Sequence, residues 1–276
     1  MTEYQLFPDI RLISRKVCMH SDNDTPPLHR DVLEIGYCSS GRSEYSEGKY
    51  HYFLSEGEII IRRRQADETV PYFPTGQYEG ASLYIEYGSC PDNLAELLEG
   101  TIFSPRRLAD ELCTDECFIA DGNEKASQVF AELYSGRDRK PLGWLRIKTA
   151  ELLIELASLH KESSLARNHR CPEAQVRLAK DVCSFACSNL NEHYTIQQLA
   201  DMEKVNPTKL KACFKRVYGC SMYSYVRTQK MYAAADLLKK TDRTVLDIAC
   251  ECGFDNGSKF AKAFREVMGS VPSKYR

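Results

Sequence analysis

Two stretches of the chain repeat one another at a spacing of about fifty residues, and this constrains the fold more than any other feature. Leu199 to Gly219 reads LADMEKVNPTKLKACFKRVYG, and Ile248 to Gly269 reads IACECGFDNGSKFAKAFREVMG. Over the second part of each copy the offset is 50, matching Leu210 with Phe260, Phe214 with Phe264, Val217 with Val267 and Gly219 with Gly269. Over the first part it is 49, matching Ile196 with Val245, Leu199 with Ile248 and Ala200 with Ala249. One extra residue in the second turn accounts for the difference.

Each copy has the grammar of a helix-turn-helix: a short helix, a turn and a second helix. A small residue, Ala200 or Ala249, lets the second helix cross the first closely. Asn206 is a suitable N-cap, with Pro207 at the first helical position where a missing N–H is harmless, and Asn256 can cap the second copy. Leu210, Cys213, Phe214 and Val217 recur at helical spacing, as do Phe260, Ala263, Phe264 and Val267, so one face of each second helix is predicted to be buried. Phe214, Phe264 and Ala249 are therefore structural. The opposite side carries Thr208, Lys209, Lys211, Lys215 and Arg216 in the first copy and Ser258, Lys259, Lys262 and Arg265 in the second. Lys and Arg reach phosphates or the guanine edge, and Ser and Thr bond bases or phosphates, so these nine are the candidate DNA-binding residues. A lysine-bearing helical face is usually only solvated surface. Two copies with matched stripes, matched glycines and the turn in the same place favour the functional reading.

Between the copies, Ser221 to Lys240 has an apolar face of Met222, Val226, Met231, Ala234, Leu237 and Leu238, with three consecutive alanines. It is predicted to be a connecting helix of roughly 30 Å, able to hold two recognition helices about one DNA turn apart.

The charge distribution agrees. The net charge of the whole chain is −2, which alone argues against a nucleic-acid binder. From Arg177 to Arg276, however, 17 Lys/Arg stand against 10 Asp/Glu, whereas the first 176 residues carry 20 against 29. A basic tail on an acidic head is the footprint of DNA binding by one half. Hydrophobic content of 43% and charged content of 28% describe an ordinary folded protein. The N-terminus, MTEYQLFPDIRL, has no secretory-signal pattern and no apolar run can cross a bilayer, so a cytoplasmic protein without membrane partners is expected. The 12 cysteines form no CxxC pair; Cys113/Cys117, Cys183/Cys187 and Cys250/Cys252 are the closest spacings. They read as small buried residues rather than a zinc site.

The first ninety or so residues read as β-structure, with strands at Val32 to Tyr37, Tyr50 to Leu54, Glu58 to Arg62 and Ala81 to Tyr87. The turns are placed at Ser39–Gly41, Glu47–Lys49, Ser55–Gly57 and Pro74–Gly76. Several short strands at regular spacing suggest a β-sandwich or barrel. After Pro91 the periodicity becomes helical, most clearly at Leu142, Leu145, Thr149, Leu152, Leu156 and Leu159. That leucine stripe packs either on this chain's own β-structure or as a dimer seam, and the pattern does not choose. Residues 161–175 read as a linker, which divides the chain into 1–160 and 176–276. His29 and His51 stand alone, and no HxH, GxSxG, P-loop or HExxH motif occurs, so neither a metal, a cofactor nor an enzyme is expected. A binding pocket is more plausible. Its candidate lining is His29, Glu34, Tyr37, Arg42, Tyr52, Tyr84 and Glu86, although strand alternation does not say which face is inside. A plain packed core with surface tyrosines competes with it.

From Ile196 to Arg276 the sequence resembles the AraC/XylS family of transcription regulators. The resemblance rests on Tyr225, Lys230 (where Arg is commoner), Ala234 and Leu237-Leu238. It continues in Asp247-Ile248-Ala249, Gly253-Phe254, Ser258, Phe260, Phe264, Gly269 and Pro272, and the chain ends at Tyr275-Arg276 where such domains often end. Gly257 and Ala212 depart from it, standing where longer side chains can reach DNA. The N-terminal half is more loosely similar to the family's cupin-like sensor domain, through His29, Leu33-Glu34-Ile35, Gly41 and Gly57-Glu58 leading into Ile59–Ile61. The resemblance implies an α+β protein, with a cupin-like β-barrel or sandwich followed by helices, and an all-α domain of two helix-turn-helix units. It further implies a sequence-specific regulator, an activator, whose partners are double-stranded DNA, RNA polymerase, a small effector and a second copy of the chain. The alternatives are a regulator switched by a protein partner without a small ligand, and a metal-dependent cupin enzyme fused to a DNA-binding domain.

Overall fold

The computed structural model describes residues 1–18, 20, 32–64, 71–86, 104–113, 117–120, 124–159 and 170–275. Two compact units divide the chain, Met1–Pro172 and Glu173–Arg276. Of the residues read as a linker, 161–169 lie outside the described ones.

The first unit is built on an antiparallel sheet. Strands β1 (Thr2–Phe7) and β2 (Ile10–Val17) form a hairpin, and β2 pairs with β6 (Tyr78–Glu86). β6 pairs with β3 (Val32–Glu47), whose other edge takes β5 (Ile59–Arg64) and then β7 (Phe118–Ala120). The far half of β3 pairs with β4 (Tyr50–Ser55), and β4 with the two-residue β8 (Cys171–Pro172). β3 is thus one sixteen-residue strand serving two sets of partners. The turn expected at Ser39–Gly41 is instead a bulge within it, where the register to β6 shifts between Cys38 and Ser40. Gly41 makes the bend feasible: its φ is +83°, and a Cβ there would lie 2.1 Å from the carbonyl oxygen of Gln77.

Strand alternation sends Leu33, Ile35 and Tyr37 of β3, with Ile59, Ile61, Leu83 and Ile85, to one face. Helices α1 (Pro105–Leu112), α2 (Glu124–Gly136) and α3 (Leu142–Ala157) pack into the same core through Leu108, Leu112, Phe130, Leu133, Leu152 and Leu156. This resolves the leucine stripe. Leu145, Leu152, Leu156 and Leu159 are buried in their own unit, and only Leu142 among the five is exposed. Truncating Leu152 to Ala should destabilise the protein by about 2–5 kcal/mol through lost burial and a residual cavity. The denaturant midpoint measures this, and a loss under about 1 kcal/mol would contradict the burial of α3 in this core.

The second unit is entirely helical: α4 (Glu173–Ser188), α5 (Ile196–Met202), α6 (Pro207–Tyr218), α7 (Met222–Lys240), α8 (Val245–Glu251), α9 (Gly257–Met268) and a closing 3-10 turn, Pro272–Lys274. The sequence repeat is a repeat of backbone hydrogen bonds. Thr195 and Thr244 cap α5 and α8 with capping boxes completed by Gln198 and Asp247. In each following turn a bond reaches back over five residues, Val205 N–H to Ala200 C=O and Phe254 N–H to Ala249 C=O, both at 2.9 Å. The residue at the bend has positive φ: +54° at Lys204 and +74° at Gly253. Asn206 accepts from the Thr208 N–H at 2.7 Å, and Asn256 from the Ser258 N–H at 2.8 Å, as the capping signals predict. The extra residue of the second turn is therefore Asp255, between the matched Phe254 and Asn256. Gly219 and Gly269 close α6 and α9 in the left-handed conformation.

Each pair buries its own small core. Leu199, Ala200 and Leu210 pack with Val182 of α4 in the first, and Ile248, Ala249, Phe260 and Phe264 pack with Met231, Ala234 and Leu238 of α7 in the second. The start of α7 belongs to the first pair, since Met222 packs against its core and Tyr225 meets Tyr218 with ring centres 4.6 Å apart. α7 therefore ties both pairs into one unit.

Candidate functional site

On α6 and α9 the buried residues sit on one side, and the other side is free. Thr208, Lys209, Lys211 and Lys215 of α6 are exposed, as are Ser258, Lys259, Lys262 and Arg265 of α9. Arg216 is half-buried and has a partner of its own. At the offset of 50, Thr208 corresponds to Ser258, Lys209 to Lys259 and Lys215 to Arg265. No ion pair among the described residues uses Lys209, Lys211, Lys215, Lys259 or Lys262. The acid on α9, Glu266, is held below the usual carboxylate range by its bond from Arg227. α6 contains no acidic residue. Each helix thus offers uncompensated positive charge, with a hydroxyl in its first turn.

The first unit contains a polar cavity of about 60 Å³, lined from β2, β3, β5 and β6. Glu34 is its central charge, at 3% exposure. Arg62, directly opposite in the β3–β5 register, donates to it from two nitrogens at 2.8 and 3.0 Å. Ser82 and Tyr84 hydroxyls donate at 2.9 and 3.1 Å, and Arg64 donates to the Tyr84 oxygen at 3.0 Å. Burial alone would raise the Glu34 pKa, but Arg62, Arg64, Arg15 and the Ser82 hydroxyl together outweigh it and hold the carboxyl down at about 2. Arg62 stacks over the Tyr45 ring at 4.7 Å. Deeper into β3, Glu44 takes His51 Nδ1 at 2.8 Å. An Arg15 nitrogen and the Ser43 hydroxyl are buried without hydrogen-bond partners. Among the described residues its charged lining is Arg15, Arg62, Arg64, Glu34 and Glu44.

Of the seven residues expected at a pocket, Glu34 and Tyr84 line this cavity. Tyr37 does not: it lies an odd number of residues from Glu34, faces the helices and stacks on Phe130 at 5.3 Å. Arg42 lies over the Phe53 ring at 5.3 Å and bonds Ser55. Tyr52 is buried in an apolar cluster with Tyr45 and Phe73, and Glu86 ends β6 beside the chain at Asp9. His29 lies outside the described residues. Arg15, Ser43, Arg62, Arg64 and Ser82 also line the cavity, and the sequence pattern does not single them out. A signal is present in the two-residue spacings Arg62/Arg64 and Ser82/Tyr84, which put each pair on one strand face.

Among the described residues no three His, Cys, Asp or Glu side chains gather as a metal site, the cysteines are free thiols, and no helix is long and apolar enough to cross a membrane.

A family model described as a helix-turn-helix domain matches residues 199–276. The Tn10 TetD protein of Escherichia coli is 30% identical over 97 residues, covering 35% of this chain and 70% of that protein. The melibiose operon regulatory protein of Escherichia coli K12 is 29% identical over 118 residues, covering 43% of this chain but only 39% of its own length. The solved C-terminal domain of AraT, a response regulator from Geobacillus stearothermophilus, is 26% identical, with 36% of this chain and 83% of that one covered at a TM-score of 0.35. With the paired helices and their caps, the family model and the sequence relatives place the chain in the AraC/XylS family of transcription regulators.

Proposed function

We propose that the protein is a sequence-specific DNA-binding regulator of transcription, built on two helix-turn-helix units, α5–α6 and α8–α9. α6 and α9 are the recognition helices. Lys211, Lys215, Lys262 and Arg265 anchor phosphates or base edges, Thr208 and Ser258 assist, and Lys209, Lys259 and Arg216 add phosphate contacts. The observation that carries this reading is the matched pair of exposed cationic faces, whose lysines join no ion pair among the described residues, set on helices whose other faces pack into the cores of the unit.

In this reading the first unit is a cupin-like sensor. The small cavity lined by charged and hydroxyl side chains, Arg15, Glu34, Ser82 and Tyr84 among them, favours a small polar effector of a few heavy atoms. The family resemblance supports an activator that works with RNA polymerase, in a homodimer formed without the leucine stripe, and supports a protein that is not an enzyme.

The test is binding of the full chain to the DNA flanking its own gene at several salt concentrations. Six to ten phosphate contacts predict a slope of log K against log salt of roughly −5 to −9. A flat response, or no preference over random duplex, overturns the specific-binding reading.

A further inference from the structure

The second helices of the two units differ in charge at one matched position. At the offset of 50, Arg216 of α6 corresponds to Glu266 of α9. α6 carries no acidic residue, and Glu266 is the only one in α9. It stands among the candidate DNA-binding cations, because Lys262 lies four residues before it, one turn back on the same side of the helix. A carboxylate there works against DNA binding in two ways. It repels phosphate, and it competes with phosphate for the Lys262 ammonium.

A different helix occupies that carboxylate. Arg227 of α7 donates to Glu266. Its position follows from packing. Arg227 and Met231 are four residues apart and share a face of α7, and Met231 is buried in one core with Phe260 and Phe264 of α9. The buried contact fixes that face of α7 against α9, and Arg227 lies one turn before it. Lys262 joins no ion pair among the described residues, although Glu266 stands at the right spacing for one. The Arg227 bond is the main cause that lowers the Glu266 pKa, with Lys262 and Arg265 adding to it from nearby. The carboxylate therefore feels three cations and bonds one of them. The two side chains are 32% and 43% exposed, so the pair contributes little to folding. Its consequence lies in which cations it leaves free.

We infer that Arg227 is a positioning residue for DNA binding, which holds the Glu266 carboxylate so that Lys262 stays available to phosphate. This rests on the reading of α9 as a DNA-facing helix. Without Arg227, the partner left to Glu266 at helical spacing is Lys262, and its phosphate contact is withdrawn. A direct phosphate contact by Arg227, or the bare loss of one positive charge, would also weaken DNA binding. The discriminating quantity is therefore the coupling between Arg227 and Lys262, not the loss itself.

Fluorescence anisotropy of the full chain on the DNA flanking its own gene, across a salt series, tests the coupling. Arg227→Met should lower affinity about tenfold at 0.1 M salt and flatten the slope of log affinity against log salt by about 0.9, the loss of one phosphate contact. Lys262→Ala should do the same in the parent chain. In the Arg227→Met background it should cost less than about twofold more, because that contact is already gone. Adding Glu266→Gln to Arg227→Met should restore affinity and slope, and Lys262→Ala should regain its full effect there. Arg227→Lys, which keeps the charge, should behave as the parent. Losses from Arg227→Met and Lys262→Ala that simply multiply overturn the inference. So does an Arg227→Met loss that Glu266→Gln does not rescue, which marks Arg227 as a phosphate contact in its own right. In both cases α9 still meets DNA. If Lys262→Ala changes neither affinity nor slope in the parent chain, the reading of α9 as DNA-facing falls and this inference falls with it. If Arg227→Met does not fold, Arg227→Gln decides through the same comparisons.

Discussion

Replacing Lys211, Lys215, Lys262 and Arg265 together by Ala should lower affinity for DNA by about three orders of magnitude at 0.1 M salt while leaving the melting temperature within a few degrees. The magnitude follows from counterion release. Each phosphate contact contributes roughly 0.9 to the slope of log affinity against log salt. Four lost contacts therefore flatten the slope by about four, and at one decade below 1 M salt that is about 3–4 logarithmic units. Stability should hardly move, because the four side chains are exposed and take part in no ion pair among the described residues. Removing two like charges one turn apart, Lys211 and Lys215, even relieves a small repulsion. Lys262→Ala alone should show a fraction of the same effect, again without unfolding. Fluorescence anisotropy across a salt series, paired with thermal melts, reads both quantities. An affinity loss under about tenfold with an unchanged slope would mean that α6 and α9 are not the surfaces that meet DNA. A melt that collapses instead would mean that these four side chains are packed rather than solvent-facing.

The helical unit could be read from the sequence because its determinants are local. An N-cap, a Pro at the first helical position and an apolar residue every three or four places all act within one or two turns. A repeat displays them twice, so Asn206 and Asn256, or Phe214 and Phe264, check one another. Even there the left-handed bend at Lys204 is not legible, since a lysine gives no signal where its counterpart is Gly253. The polar cavity of the first unit is much less legible because its determinants are distant. Glu34 meets Arg62 across 28 residues and Ser82 across 48. Alternation gives two faces without saying which is inside, so the expected lining mixes Glu34 with Tyr37, which a regular strand must point oppositely. Arginines in a strand read as solvent-facing, but Arg62 is buried against Glu34 and Arg64 against Tyr84. The leucine stripe of α3 shows the same limit: the period identifies an apolar face, but a partner from another part of the chain decides what covers it.

The cavity's charge balance leads to a second large effect. Glu34→Gln should destabilise the protein by about 3–5 kcal/mol, because it leaves Arg62 buried opposite a neutral amide. The loss should also change the response to acid in a defined direction. Glu34 is held at about 2 in the folded chain, against an ordinary value of 4.5. A carboxyl with a depressed folded pKa stabilises the native state above its unfolded pKa, and that contribution fades as pH falls through the range between the two values. Here it is fully present above pH about 5 and lost towards pH 2, and its size is on the order of 3 kcal/mol. Urea midpoints at pH 7, 5 and 3 should therefore fall less steeply in Glu34→Gln than in the parent chain. A general weakening of the first unit would shift the whole curve and leave its slope, so the two explanations separate. The double variant Glu34→Gln with Arg62→Met sharpens the test, since it removes both charges and keeps similar volumes. If the penalty is the unpaired guanidinium, the double variant should recover most of the stability lost by the single one. A double variant no more stable than the single one would show that Arg62 is not the charge Glu34 balances.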